Sequence, residues 1–321
     1  MINLPLLQSV KVFYVAQGMR LRLQGMLNAE KLPQGVILAK DHLQWLRGEF
    51  ELYKQKEKTY LQRIESFVER DPVYTEWLKD VDGIGPTMAG VLLGYLDFEI
   101  AKTPSSVWRY SGLHVESNNK APRPVQGKKL TWNYWFRTRL LGVIARSFLL
   151  YNENYRKIYE NQKHRRNSMR VPCMRCDQDE NYRDSCRKCN GSGHISIKVC
   201  DNCGNTNGFR YNICIVCETK IEPQKETCSI CNGTGKVSCL NCHGELIGPW
   251  GKSDLHRHRD AIRKMLKIFL IDLWTNARRI KGLPTRPTYQ EEYLGHIHQP
   301  ENLMSEQVIM ATDFSPSMLK Q

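Results

Sequence analysis

Apolar positions recur every three or four residues over 36–70, at Leu43, Leu46, Phe50, Tyr53, Tyr60, Ile64 and Phe67, with Glu57 the one charged member of the series. This heptad spacing predicts a long coiled-coil-like helix whose seam buries against another helix, either of this chain or of a second copy. Asp71-Pro72 pairs an N-cap with a proline suited to the first helical position, so a short helix is expected up to about Asp80. Gly83-Ile84-Gly85 predicts a tight turn, and Pro86 opens a helix through Tyr95. Thr103-Pro104 repeats the cap-and-proline signal before Ser105–Ser111, with Gly112 as its stop. Residues 116–129 read as a polar loop, and Leu130 to Arg166 as helical again. The next 70 residues lack long apolar runs. Ser253 then caps a last long helix to Ile280, with Gly282 and Pro284 just beyond it. The apolar stripe of that helix (Ala261, Ile262, Met265, Leu266, Phe269, Leu273, Trp274) predicts packing against the 130–150 helix. Residues 1–35 receive no assigned element, and the 283–321 tail, with scattered prolines and polar residues, reads as extended or disordered over roughly its last 15 positions.

The chain has 321 residues and a formal charge of +14. Its length suits two or three domains. No run of 18 apolar residues occurs, which excludes a membrane-spanning helix. The N-terminal segment lacks the basic start and apolar core of a secretory signal, so a cytoplasmic, reducing setting is expected. Charge is unevenly placed: residues 101–172 hold 15 Lys/Arg against 3 Asp/Glu, whereas 173–242 hold 9 against 8. A polyanionic partner is therefore expected on the helices.

All 12 cysteines fall into Cys-x-x-Cys pairs: Cys173/Cys176, Cys186/Cys189, Cys200/Cys203, Cys214/Cys217, Cys228/Cys231 and Cys239/Cys242. Two intervening residues turn both sulfurs onto one side of a tight loop, which is half of a tetrahedral site. Six halves make three closed sites, so about three structural zinc ions are expected, with no position open for catalytic water. The gaps between pairs, 9, 10, 10, 10 and 7 residues, suit short hairpins. Sequential pairing gives three zinc ribbons in a row, and nested pairing over the last four pairs is the alternative. His243 is a further, less favoured ligand. Once zinc is bound, twelve thiolates and three divalent ions would carry this region from +1 to −5.

Cys186–Gly193 and Cys228–Gly235 both read Cys-x-x-Cys-x-Gly-x-Gly. They resemble the cysteine-rich region of DnaJ-type chaperones. The resemblance covers about 70 residues and implies a metal-held β-hairpin module; no His-Pro-Asp signature of a J-domain occurs.

Residues Leu78–Leu93 fit a helix-hairpin-helix. Gly83 and Gly85 leave bare backbone whose N–H groups can approach a phosphate. Ile84 plugs the space between the helices and Ala89 permits their close crossing. Pro86 and Thr87 open a helix whose N-terminus favours an anion. Such a motif grips DNA backbone without reading bases. With Arg123, Lys128, Lys129, Arg137, Arg139, Arg263 and Lys267 added, these residues form the expected DNA-binding set.

The hairpin, then Trp108-Arg109-Tyr110-Ser111-Gly112-Leu113, then a polar loop and a basic helix, resembles the C-terminal half of the DEDD insertion-sequence transposases. These are relatives of the Piv invertase and of the bridge-RNA-guided recombinases. The resemblance spans roughly 36–166 and, loosely, 253–298. It implies DNA binding in transposition or recombination, together with a coiled coil. That family also carries a RuvC-like nuclease domain, for which the first 35 residues offer too little chain, and a loop serine in a Ser-Gly context. Here the loop reads Glu116-Ser117-Asn118-Asn119-Lys120, which makes Ser117 the nearest counterpart.

The expected protein is mainly α. It comprises an N-terminal segment (1–35), a heptad helix (36–70), a basic helix-hairpin-helix domain (71–170), an inserted small-β zinc module (171–245), a basic helix packing back (250–282) and a tail. Its expected role is DNA binding without its own nuclease, in the cytoplasm or at the nucleoid. An active recombinase using Ser117 or a partner catalytic subunit, and a structured-RNA-binding zinc protein, are the alternatives. The heptad helix offers a surface for a homodimer or for a recombinase partner.

Overall fold

The computed structural model describes residues 3–29, 40–116, 120–204, 206, 209–210 and 212–285. It divides into two compact units, residues 1–160 with 261–321, and residues 161–260. The 283–321 tail lies almost wholly outside the described residues. Among the described residues no helix is long and apolar enough to cross a membrane.

The first unit is helical. Where the sequence pattern assigned no element, a 26-residue helix, α1 (Leu4–Ala29), forms. Apolar residues surround its axis, with Leu6, Val10, Phe13 and Leu23 buried and Leu4, Val15 and Met26 exposed. It therefore carries no helical period to read. α1 packs along α2 (Lys40–Val68), which lies inside the expected 36–70 segment. Every position of the described seam, from Leu43 to Phe67, is buried or partly buried. Glu57, the charged interruption, accepts from Gln17 Nε2 of α1 at 3.0 Å and pairs with Arg20. A second helix of the same chain thus meets both the apolar seam and its one charge.

Asp71 caps α3 (Pro72–Glu76), accepting from the Val73 N–H at 2.9 Å, and a 3₁₀ turn (Leu78–Asp80) follows. The helices α4 (Pro86–Tyr95) and α5 (Pro104–Tyr110) begin at their prolines as the sequence predicts. The stretch expected to be helical from Leu130 to Arg166 is so from Tyr134 onward, in successive segments. α6 (Tyr134–Arg139) runs through a π-helical segment (Leu140–Ile144) into α7 (Ala145–Tyr151). Asn152 then leaves helical geometry and caps α8 (Glu153–Ser168), its Oδ1 accepting from Tyr155 N–H at 3.0 Å. α9 (Asp254–Ile280) matches its prediction. Its stripe buries as expected: Phe269 meets Phe148 of α7 edge-on at 4.7 Å and Tyr155 at 5.5 Å, both as ring-centroid distances. One acid sits in this core. Asp272 is 8% exposed and accepts from the Tyr155 hydroxyl at 2.8 Å; burial pushes its carboxyl up to about 7.

The boundary between the units falls within α8 and within α9. The second unit is a two-stranded antiparallel ladder. β1 (Val171–Pro172) pairs with β8 (Ile247–Gly248), and β2 (Arg183–Ser185) with β7 (Lys236–Ser238). β3 (His194–Ile197) pairs with β6 (Gln224–Thr227), and β4 (Phe209–Arg210) with β5 (Ile213–Cys214). Between successive rungs lie the cysteine turns.

Candidate metal centres and nucleic-acid interface

The ladder decides how the cysteines meet. Because the first strand pairs with the last, the outermost turns face each other, and so on inward. Three tetra-cysteine clusters result: Cys173, Cys176, Cys239 and Cys242; Cys186, Cys189, Cys228 and Cys231; Cys200, Cys203, Cys214 and Cys217. The nesting extends over all six pairs, which corrects both expected pairings. Only the innermost cluster joins neighbours in sequence. A tetrahedral ion bonded to sulfur at about 2.3 Å sets sulfur–sulfur edges of about 3.8 Å. In the first cluster Cys173 and Cys239 are 3.8 Å apart, and Cys176 and Cys242 3.7 Å. The second cluster gives 3.8 and 3.6 Å, and the third, near the tip, 3.3 and 3.5 Å. Each cluster fits a metal ion held by four sulfurs and closed to further ligands. His243 is exposed and is a member of none of these clusters.

The middle cluster shows why the glycine pattern exists. The two turns that carry it are partners, related by a local two-fold. The Cys186 N–H donates to Gly235 O, and the Cys228 N–H to Gly193 O, both at 2.8 Å. Ser192 and Thr234 repeat each other's bonds, to Cys189 O and Cys231 O, at 2.7 Å. A Cβ on Gly193 would stand 2.1 Å from Gly233 O, and one on Gly235 2.1 Å from Gly191 O. No side chain fits where two backbones pass this closely.

Each cluster also holds a thiol shifted toward neutrality. Burial raises Cys173, but the N–H groups of Cys176 and Arg175 and the Asn241 amide outweigh it and bring it to about 6. In Cys189 burial is likewise outweighed, first by the Gly193 N–H 3.3 Å from its sulfur, to give about 7. Cys217 falls to about 6, chiefly through Thr219. Their neighbours move the other way: burial, and then the bonds to the other cluster thiols, push Cys176 up to about 12 and Cys231 up to about 11, so a metal ion has to displace those protons.

Around the first cluster, Asp184 ties the two arms together. It is 6% exposed, accepts from Arg175 Nε at 2.8 Å and from Leu240 N–H at 2.8 Å, and Arg175 holds its carboxyl below the usual range.

In the helical unit the hairpin residues occupy one turn. Gly83 takes φ +85°, and a Cβ there would meet Ser147 Oγ at 3.0 Å. Ile84 is buried, as its plug role requires, and Gly85 is exposed. Gly85 caps α4 without a side-chain hydrogen bond. The Thr87 and Met88 N–H groups in that first turn have no acceptor within the helix. The turn is pinned from below: Ser147 Oγ donates to Gly83 O at 2.6 Å, and Asn152 Nδ2 to Asp82 O at 3.0 Å. Neither pin is visible in the sequence, because each lies more than 60 residues from its acceptor.

Comparison with protein-family models, curated proteins and solved structures returns no match to this chain. Function must therefore be read from the sites themselves.

The remaining expected DNA-binding residues divide into two groups. Arg123, Lys128 and Lys129 are exposed in the loop before α6. Arg137 and Arg139 are partly withdrawn. Arg137 donates to Pro122 O at 3.1 Å and lies 5.3 Å from the Trp132 ring centre. Arg139 lies 3.6 Å from the Tyr14 ring centre and 4.6 Å from that of Trp135. Arg263 and Lys267 are partly buried on α9, with Lys267 Nζ 4.8 Å from the Trp108 ring centre. Ser117 lies outside the described residues.

Proposed function

We propose that this chain binds DNA by its phosphate backbone through the Gly83–Gly85 hairpin, in transposition or recombination as the resemblance to the DEDD transposases implies. One observation carries the reading: an exposed glycine, with no side-chain cap, begins α4 and leaves its first N–H groups to an outside acceptor. An anion is the partner that a helix N-terminus of this kind favours. The surplus of 15 cations over 3 acids in residues 101–172 supports the same partner. The metal of the three clusters is zinc in this reading. Four thiolates in tetrahedral spacing select zinc or iron, and a site closed by four sulfurs suits a structural ion.

The test is a titration of fluorescent duplex DNA with the full, metal-loaded chain at several salt concentrations. A grip on roughly 6–10 phosphates weakens affinity about 10³–10⁵-fold between about 50 and 200 mM salt. Gly85→Asp, which meets nothing within 4 Å of its Cβ, should keep the fold and weaken binding by placing a carboxylate at the helix start. Binding that ignores both salt and this substitution would refute the reading. Elemental analysis of the same material should return about three zinc ions per chain.

A further inference from the structure

The sequence places its positive charge on the helices and leaves the cysteine region nearly neutral. That sum hides a local cluster. Within the second unit, an open groove of about 460 Å³ runs between the Cys239–Cys242 turn and the start of α9, and five cationic side chains line it: Arg170, Arg175, Arg187, Lys252 and Arg257. Glu245 and Asp254 are the acids in the lining.

What each cation already does decides what is left for a ligand. Arg175 is committed to Asp184. Arg257 is only 9% exposed; its Nη1 donates to Asn241 Oδ1 at 3.0 Å, while its Nε is buried without a hydrogen-bond partner. Asp254 is shared between Lys163 at 3.5 Å and Arg257 at 3.9 Å. Arg170, Arg187 and Lys252 are exposed, and among the described residues no ion pair holds them. Three exposed cations and one buried, incompletely satisfied guanidinium thus line a cavity larger than a lone phosphate needs. The open form suits a strand that lays one phosphate into the groove and continues past it.

We propose that this groove receives a phosphate of the nucleic-acid backbone, giving the metal-bearing ladder a contact of its own with the strand. The inference rests on the DNA-binding reading and extends it to a second surface. Its chief rival is electrostatic housekeeping: a four-thiolate site with a divalent ion carries −2, and nearby cations would offset that charge.

The experiment uses the full, metal-loaded chain and labelled duplex DNA over a salt series. It compares wild type, the double variant Arg187→Ala/Lys252→Ala, Glu245→Gln, and Lys58→Ala on α2 as a control for loss of charge. Each lost phosphate contact lowers the salt slope by about 1, so the double variant, which gives up the one phosphate held in the groove, should lose about 1 while keeping its metal. Glu245→Gln removes one solvent-screened repulsion of the phosphate and should tighten binding about threefold, a gain that damage to the fold would not produce. If wild type binds no DNA, the hairpin reading fails and the groove with it. If wild type binds and the double variant keeps the full slope, the groove proposal alone is overturned. Loss of metal with an unchanged slope would mean that the cations serve the cluster, which also overturns it. The last arm adds inorganic phosphate at matched ionic strength. Stabilisation by phosphate without any change in DNA slope would mark a free-anion site and contradict the strand contact.

Discussion

Phe269 and Cys228 are both fully buried, but what buries them differs. Phe269 is enclosed by rings from Trp77, Phe148 and Tyr155, inside a core fed by helices from both ends of the chain. Cys228 is enclosed by three other sulfurs, with only Ile195 and Val237 packed against them. The helical unit offsets its conformational entropy by removing apolar surface from water. Among the described residues the ladder has rungs of only two to four residues and no comparable core. Ordering each residue costs about 1–2 kcal/mol, so ion binding has to supply what packing does not.

The largest effect should come from breaking a cluster. Cys228→Ser leaves three sulfurs at the middle site, where an ion contributes on the order of 10 kcal/mol of folding free energy. Metal content should fall from three ions to two, and a protease should cut within 186–231, while the helical circular dichroism stays near wild type. Gly193→Ala should be next. Its Cβ would stand 2.1 Å from a carbonyl oxygen at φ +79°, so a cost above about 4 kcal/mol is expected, read as weaker metal retention against a chelator.

These two variants also show what the sequence made legible. The cysteine ligands, the helix starts at Pro72, Pro86 and Pro104, and the seam of α2 could be read because each depends on local spacing. The partner of each cysteine pair could not, because it depends on where the chain turns back. The shared glycine pattern of Cys186–Gly193 and Cys228–Gly235 was the available signal for the middle cluster. α1 has no helical period in its sequence because it is apolar on all sides. The pins Ser147 and Asn152, like the cation groove, are formed by residues far apart in sequence. A regional net charge cannot reveal them.

A smaller effect, confined to the helical unit, concerns Asp272. Its folded-state value of about 7 lies above the ordinary 3.8, so between these the folded chain holds a proton that the unfolded chain releases. The stability that this group supports is full below about pH 4 and is lost as pH rises through 7. The shift sets a ceiling of about 4 kcal/mol, and relaxation would leave on the order of 2. Asp272→Asn should therefore raise the melting temperature at pH 8, change little at pH 4, and leave metal content alone. The smallest effect is Ser147→Ala, which removes the bond to Gly83 O. About 1 kcal/mol of stability should be lost, with a few-fold weaker DNA binding as the turn loosens.

Hydrogen exchange of the full chain, measured before and after chelation, tests the contrast most directly. The Cys186 and Cys228 amides and the strands between Val171 and Gly248 should lose protection when the metal is removed, while α4 and the core-facing part of α9 keep theirs. A ladder that stays protected without metal, or a helical core that opens together with it, would contradict the account.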